Sequence, residues 1–465
     1  MAHDAPAGVK ILLVSNLYPP HYIGGYELRC AQVAEYLRLA GHETRVVTSF
    51  TNVPGAAAGS PAQEATGEGT TPVERWLRYH TLDPLPAQRR RTLAMAKNQL
   101  QEARRFNRLL ADWRPDVVNW WNLEGLTKTI LPLPAAHGIP DVHWVEDTWL
   151  IREYGASGEK ESLHWFDFWR GSWTPRALRP AVAAGLAVWE RRVRREGIAT
   201  RPFPNRPRHV CFVSEFMRLE HQRAGLTWPS SSVIHGGVAA ERFYLRRTPA
   251  EFTDGTLRLL YAGYVEPNRG LHTIIAALGL LPPTLRDQVQ LSVAHTERPK
   301  EEWYLSDIKT SIERLGLASR VRFIGRIPHE AMPGVYGTQH VLVSATTRAE
   351  GLPMTMMEAM CAGCAVITTG SGGAQEIADV AGLPLFPKDD PAALSGLIAR
   401  LATDRRWAFE VATRGQEAVL KHFSWARMAE ALGRTLHGLA EESAARRGAR
   451  GPGVPHEGAP HPAVR

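Results

Sequence analysis

The stretch "AEGLPMTMMEAMCAG" (residues 349–363) sets two carboxylates, Glu350 and Glu358, eight residues apart around a proline and three methionines. It follows the apolar run "HVLVSA" (340–345). A continuous apolar run, a short loop and a proline-led helical pattern read as strand, loop, helix. Glu350 then falls in the loop at the strand's carboxyl end. Gly351 and Leu352 offer backbone N–H groups at a helix start, where phosphate or a sugar hydroxyl is well received. Glu358 lies on the helix, roughly 80° off in phase at about 100° per residue. A lone helical glutamate is usually a solvated face, but Met356, Met357, Ala359 and Met360 around this one are apolar. A carboxylate in that setting needs partners, and ligand hydroxyls would serve.

The same alternation runs along the chain. "KILLVSN" (10–16), "RVVTS" (45–49), "DVVNW" (116–120) and "DVHWV" (141–145) read as one set of strands. "HVCFV" (209–213), "LRLLYAG" (257–263), "QLSVA" (290–294), "VRFIG" (321–325), "HVLVSA" and "AVITT" (365–369) read as a second. Their apolarity is continuous, which marks strands buried on both faces in parallel sheets covered by helices. Between them Leu93, Ala96, Leu100, Ala103, Phe106 and Leu110 recur at three- and four-residue steps and make one apolar face. The pattern predicts an α/β chain of doubly wound domains with ligands at the carboxyl ends of the strands. "RPFPNRPRH" (201–209) reads as a linker, "PGAAAGSPAQEATGEGTTP" (54–72) as a mobile loop and the tail 446–465 as disordered.

The composition, 44% apolar and 22% charged over 465 residues, is that of a globular chain with more than one domain. No run approaches about 18 apolar residues, so no spanning helix is expected. "MAHDAPAGVK" lacks the basic-then-apolar order of a secretory signal. Four cysteines make no disulfide framework and fit a reducing cytoplasm. A net charge of +8 suits anionic partners such as nucleotide phosphates or anionic lipid. No zinc-finger, RNA-recognition or helix-turn-helix pattern accompanies it, so nucleic acid is not expected.

Three more loops share the strand–loop–helix form. Gly24 and Gly25 stand before a helical run after the first strand, where a backbone without Cβ atoms can approach an anion. A tight turn that merely packs the helix is the equal alternative. In "SGGAQE" (371–376) a glycine pair again precedes a helix, with Glu376 in its first turn, where a simple dipole role competes. In "YAGYVEPNRGLHTIIAAL" (261–278) Arg269 lies in the loop, placed to clamp a diphosphate or to be an ordinary surface arginine.

Taken together these residues resemble glycosyltransferase family 4, the retaining nucleotide-sugar enzymes with the GT-B fold and an E-x7-E signature. "EGLPMTMME" is similar to that signature and "GGYE" to the family's first Gly-Gly loop. "VSEFMRLEHQRAGL", "VIHGGVAAERF", "GYVEPNRG", "VRFIGRIPHEAMPGVY" and "SGGAQEI" follow in family order from about residue 10 to 435. The resemblance implies two Rossmann-like doubly wound domains facing a central cleft: an acceptor-side domain over 1–206, a nucleotide-sugar domain over 207–425, and a crossover helix over 426–445. It implies that Glu350 contacts the donor sugar with the amides of Gly351 and Leu352, that Glu358 holds the ribose, and that Arg269 neutralises the diphosphate. Gly24 and Gly25 would approach the phosphates from the first domain, and Gly325, Arg326 and Ile327 would edge the base pocket. Metal is not expected, nor any cofactor beyond the nucleotide-diphosphate sugar as donor substrate. The acceptor would be a saccharide or a lipid-linked one, in polysaccharide or glycoconjugate synthesis.

Three positions depart from the family pattern. Tyr264 stands where the phosphate loop has an arginine, with Arg348 or Arg298 as substitutes. Glu146 stands for the histidine of a His-Asp pair beside the donor sugar, while Asp147 matches. Trp121, in "NWWN", stands near an earlier histidine. These departures keep a second reading open: a GT-B protein that binds nucleotide sugars without turning them over. Elsewhere "CAGC" (361–364) has redox spacing but no thioredoxin context, so packing cysteines are expected. Trp165, Trp169, Trp173 and Trp189 among Arg170, Arg176, Arg179, Arg191, Arg192, Arg194 and Arg195 suit either a peripheral contact with an anionic membrane or a solvated basic face.

Overall fold

The computed structural model describes residues 8–50, 70–79, 85–154, 175–198, 206–253, 255–296 and 301–449. Most of the expected mobile loop and of the linker, the tail beyond 449, Arg170, Arg298 and the tryptophans at 165, 169 and 173 lie outside the described residues. The chain forms two compact units. Within the described residues, the first takes those up to Phe212, Leu219–Ser232 and those from Ala429; the second takes Val213–Arg218 and Val233–Met428.

The first unit is built on β1 (Lys10–Val14), β2 (Glu43–Phe50), β3 (Val73–Arg78), β4 (Val117–Trp120), β5 (Asp141–Val145), β6 (His209–Phe212) and β7 (Ser231–Val233), in the order β3-β2-β1-β4-β5-β6-β7. The pairings from β3 through to β6 are parallel. The sheet order reverses between β1 and β4, and such a switch point opens a crevice outside the strand ends. All four side chains of β4, and Val142 to Val145 of β5, are buried, as strands covered on both faces require. Helix α1 (Gly25–Leu39) lays Cys30, Val33, Ala34 and Leu37 on this core, and α2 (Leu85–Trp113) adds Ala103, Phe106 and Leu110. Helices α3 (Trp149–Tyr154) and α4 (Arg179–Arg195) follow β5.

One strand falls in the other set from the one expected. The run "HVCFV" pairs with β5 in the register Val142↔His209 to Val145↔Phe212 and so extends the first sheet. A buried apolar strand of this kind fits either sheet by its residues alone; its parallel hydrogen bonds to β5 put it here. The division expected at 206/207 therefore lies further along, where the chain enters the second unit at Val213 and, after α5 (Glu215–Arg223) and β7, enters it again at Val233.

The second unit has β8 (Leu257–Tyr264), β9 (Val289–Thr296), β10 (Val321–Gly325), β11 (Val341–Ser344) and β12 (Ala365–Thr368) in the order β10-β9-β8-β11-β12, all parallel. Its switch point lies between β8 and β11. Helices α6 (Leu271–Leu280), α7 (Met332–Gly337), α8 (Met354–Cys361) and α9 (Gly373–Ala381) follow their strands in doubly wound fashion. Both units are Rossmann-like.

The final helix, α10 (Trp425–Ala449), begins in the second unit and from Ala429 belongs to the first. There Leu432, Leu436 and Ala440 are buried, and the Ser443 hydroxyl donates to the Gly138 carbonyl at 3.2 Å. The tail expected to be disordered from 446 is helical to Ala449. No helix among the described residues is long and apolar enough to cross a membrane.

Candidate functional site

In the second unit three loops meet beyond the carboxyl ends of β8, β11 and β12. The Asn268 carbonyl accepts the Thr347 N–H at 2.9 Å and the Thr346 hydroxyl at 3.0 Å. From the other side the Thr369 and Ser371 hydroxyls donate to the Thr346 carbonyl at 2.6 and 2.9 Å. Gly270 sits in the left-handed region, φ 72°, and a Cβ there would come within 2.0 Å of the Ala345 carbonyl oxygen. Only glycine lets the β8 loop close on the β11 loop so tightly. Gly373 packs in the same way, with a Cβ falling 1.8 Å from the Gly351 carbonyl oxygen. The Gly373 N–H donates to the Glu350 carbonyl at 2.8 Å. The "SGG" pair is thus needed to seat the backbone of Glu350 and Gly351.

These contacts bring Glu350 and Arg269 together across the switch point. The Arg269 guanidinium donates to the Glu350 carboxylate, and both side chains stay about one-fifth exposed. Burial works against the arginine's charge, yet the Glu350 carboxylate beside it outweighs burial and holds the Arg269 pKa above its ordinary value. Sequence reasoning gave these two residues separate tasks; the structure makes them an ion pair. Gly351 is half-buried and Leu352 buried. Pro353 caps α8 rather than opening it, so Met354 is its first residue.

Glu358, on α8, is 3% exposed. Its oxygens accept from His329 Nε2 and from the Tyr336 hydroxyl, each at 2.9 Å. The protein therefore supplies partners that the sequence reading left to a ligand. A carboxylate has about four acceptor sites, so two remain for another donor. Tyr264 is half-buried at the end of β8, where its carbonyl accepts the Tyr261 hydroxyl. Arg326 is exposed and Ile327 half-buried in the loop after β10, and Gly325 has φ 71°. Arg348 is exposed, its N–H on the Asn268 carbonyl at 3.3 Å. Glu376 caps a helix other than its own: it accepts the Glu215 and Phe216 N–H groups at the start of α5, at 3.0 and 2.7 Å, and His235 Nε2 at 3.0 Å. Burial opposes its ionisation, but these donors prevail and hold its pKa below the ordinary value.

In the first unit Gly24 precedes α1 with extended backbone, and a Cβ there would meet nothing within 4 Å among the described residues. Neither conformation nor packing demands glycine at 24, unlike 270 and 373. The Gly24 N–H donates to Glu27 at 2.9 Å, and Gly25 opens the helix. Beyond β5, Asp147 accepts the Trp149 N–H at 2.9 Å at the start of α3. Glu146 accepts the Trp144 indole N–H at 2.6 Å and pairs with Arg29 of α1 at 2.9 Å. Burial pushes the Glu146 pKa above its ordinary value, against Arg29 and Trp144, which pull it down. Trp121 is fully buried between Tyr26 and Trp144, its indole N–H on Asn119 at 2.7 Å. Cys361 and Cys364 are buried free thiols at the end of α8.

Sequence reasoning missed His329, Tyr336, His235 and Arg29, the partners of the carboxylates Glu358, Glu376 and Glu146. For Arg29 a signal existed: Tyr26, Cys30, Val33 and Leu37 make the buried stripe of α1, and Arg29 lies on it. The other three are joined to their carboxylates only by the fold.

Comparison with known proteins came to matching results in both units. Residues 23–242 match the model of Glycosyltransferase Family 4, and residues 247–418 the model of Glycosyl transferases group 1. The chain is 27% identical over 226 residues to O-antigen chain mannosyltransferase B of Escherichia coli, a match covering 46% of this chain and 57% of that protein. It is 24% identical over 454 residues to the glycogen synthase of Mycobacterium tuberculosis, covering 96% of this chain and 97% of that one. Among solved structures it is similar to a sucrose-phosphate synthase from Thermosynechococcus elongatus, with TM-score 0.64, 20% identity, and coverage of 93% of this chain and 100% of that one. It is also similar to HepE of Anabaena in complex with UDP and glucose, with TM-score 0.59, 17% identity, and coverage of 92% and 100%.

Proposed function

The chain belongs to glycosyltransferase family 4, and from that premise we propose that it is a retaining, metal-independent glycosyltransferase. It moves a hexosyl-type group from a nucleotide-diphosphate sugar to a saccharide or lipid-linked acceptor, in polysaccharide or glycoconjugate synthesis. The observation that carries the reading is the Arg269–Glu350 pair at the second unit's switch point, with the buried Glu358 eight residues on. When the donor binds, its diphosphate takes up the Arg269 guanidinium and releases Glu350 toward the sugar. Arg269 and the start of α8, with the Gly351 and Leu352 amides, then stabilise the leaving nucleoside diphosphate. Glu358 uses its remaining acceptor sites on the ribose. In the second unit Tyr264, Arg326 and Ile327 border the nucleotide; in the first, the open space at Gly24, just before α1, admits an anion. Glu146 and Asp147, at the carboxyl end of β5 in the first unit, are the carboxylates offered to a sugar hydroxyl.

Replacing Glu350 with alanine should lower turnover by at least about a hundredfold while the melting temperature stays near that of the wild type. Undiminished transfer would sink the assignment. A thermal-shift screen with UDP, GDP, ADP and their sugars identifies the base. HepE, a structural relative, was solved with UDP, so a shift with UDP is expected first.

A second reading, binding without turnover, draws on Tyr264, which is no cation, and on Glu146, which is already engaged by Arg29. It predicts a thermal shift with no transfer or donor hydrolysis. Peripheral membrane contact is the remaining part of the proposal. Arg176, Arg179, Arg191, Arg192, Arg194 and Arg195 are exposed on and beside α4, together with Leu178 and Val188, as an anionic lipid surface would require.

A further inference from the structure

Helix α1 starts at the first unit's switch point, between β1 and β4, where a doubly wound sheet opens its crevice. One turn in, Arg29 reaches to the loop after β5. Its Nη2 lies 2.9 Å from Glu146 Oε2, with side chains 4% and 8% exposed. The other Glu146 oxygen accepts Trp144 Nε1 at 2.6 Å. The Nε and Nη1 of Arg29 are buried without a hydrogen-bond partner among the described residues.

That last feature separates this pair from a structural tie. A buried arginine–carboxylate pair stabilises only when its geometry is good and its remaining N–H groups are satisfied. Here two N–H positions are unanswered, and each such group costs its desolvation without return. What the arrangement does secure is direction. One carboxylate oxygen is held by an indole and the other by a guanidinium, at a strand's carboxyl end beside the crevice.

We propose that Arg29 is a positioning residue of the transfer site: it pins the Glu146 carboxylate in the orientation in which that carboxylate accepts a hydrogen bond from a sugar hydroxyl. The proposal rests on the transferase reading above. Among the described residues, the groups that face Glu146 are Tyr26, Glu27 and Cys30 of α1, Asp147 of its own loop and Trp144 of β5. They are neutral or acidic, and among the described residues Arg29 is the cation set against them. Burial raises the Glu146 pKa and Arg29 lowers it. Without the guanidinium the carboxyl therefore takes up a proton at a higher pH.

The test is the pH dependence of kcat/KM in the full chain for wild type, R29M and R29K, with the nucleoside-diphosphate thermal shift measured alongside. In R29M, kcat/KM near neutrality falls roughly ten- to a hundredfold, the scale of one hydrogen bond to a charged group. Its acidic limb moves to higher pH. In R29K the charge returns and the limb goes back, but the ammonium lacks the planar fork, so a deficit of about tenfold remains. The thermal shift is retained in both. An acidic limb in R29M that stays at the wild-type position would overturn the proposal, even if turnover fell, because loss of packing alone does not move it. Should R29M not fold, R29K decides: wild-type kcat/KM there overturns the proposal. Absence of any transfer by the wild type, with the shift present, would instead overturn the transferase reading on which the proposal rests.

Discussion

At the start of α1 the Glu27 carboxylate is 3% exposed, and burial pushes its pKa up to about 7 from an ordinary 4.5, although the Gly24 and Ile23 N–H groups donate to it. Between those values the folded chain holds a proton that the unfolded chain has lost. The stability that Glu27 lends is therefore fully present below about pH 4.5 and is lost as the pH rises through about 7. Glutamine keeps an acceptor for Gly24 and carries no charge. E27Q should match the wild type at pH 5 and exceed it at pH 8 by on the order of 1–3 kcal/mol. Denaturant titrations at the two pH values would show it, and an equal difference at both would refute the assignment. The buried carboxylates also mark where the sequence stopped speaking. The apolar neighbours of Glu358 pointed to its burial. Its partners His329 and Tyr336 lie 29 and 22 residues away on other elements, and no local spacing links them.

Among the elements, the glycines before helices looked alike in sequence and are not alike in structure. Gly373 and Gly270 are held by close backbone approach, while Gly24 borders open space. Replacing Gly373 with alanine forces the Gly351 carbonyl aside and should cost about 2–4 kcal/mol of stability. At Gly24 the same change should cost less than about 1 kcal/mol, yet weaken the response to nucleoside diphosphate. Equal destabilisation in thermal melts would contradict the distinction. Most strands were legible because buried parallel strands write unbroken apolar runs; β3 and β7, whose residues are largely half-buried or exposed, write none and were missed. Which sheet a run joins was not legible. "HVCFV" lies on the far side of the linker in sequence, and only its ladder to β5 assigns it. Glu376 was likewise placed correctly on α9, but the helix start it caps is that of α5, 160 residues away.

For the whole molecule, the last helix is the element that returns the chain from the second unit to the first. From Ala429 onward α10 packs Leu432 and Leu436 into the first unit, with Gly433 against Leu37 and His437 against His42. Ending the chain at Met428 should lower the unfolding midpoint of the first unit by several degrees, since even ~1 kcal/mol shifts a midpoint by about 2–4 °C at this size. The second unit should keep its nucleoside-diphosphate stabilisation. Hydrogen exchange in β1 and α1, read against β8 and α8, would separate the two effects; uniform loss of protection would argue against them.

The same path through the chain sets an order of events at the ribosome. The first unit begins at the N-terminus but is completed by residues from Ala429 onward. At about 5–20 residues per second, synthesis of the ~200 residues between takes roughly 10–40 s. For that interval the groove awaiting α10 stays uncovered, while the second unit can already close. The nascent first unit is thus the part of this protein that a chaperone has reason to shelter, and slow codons across the second unit would lengthen the wait.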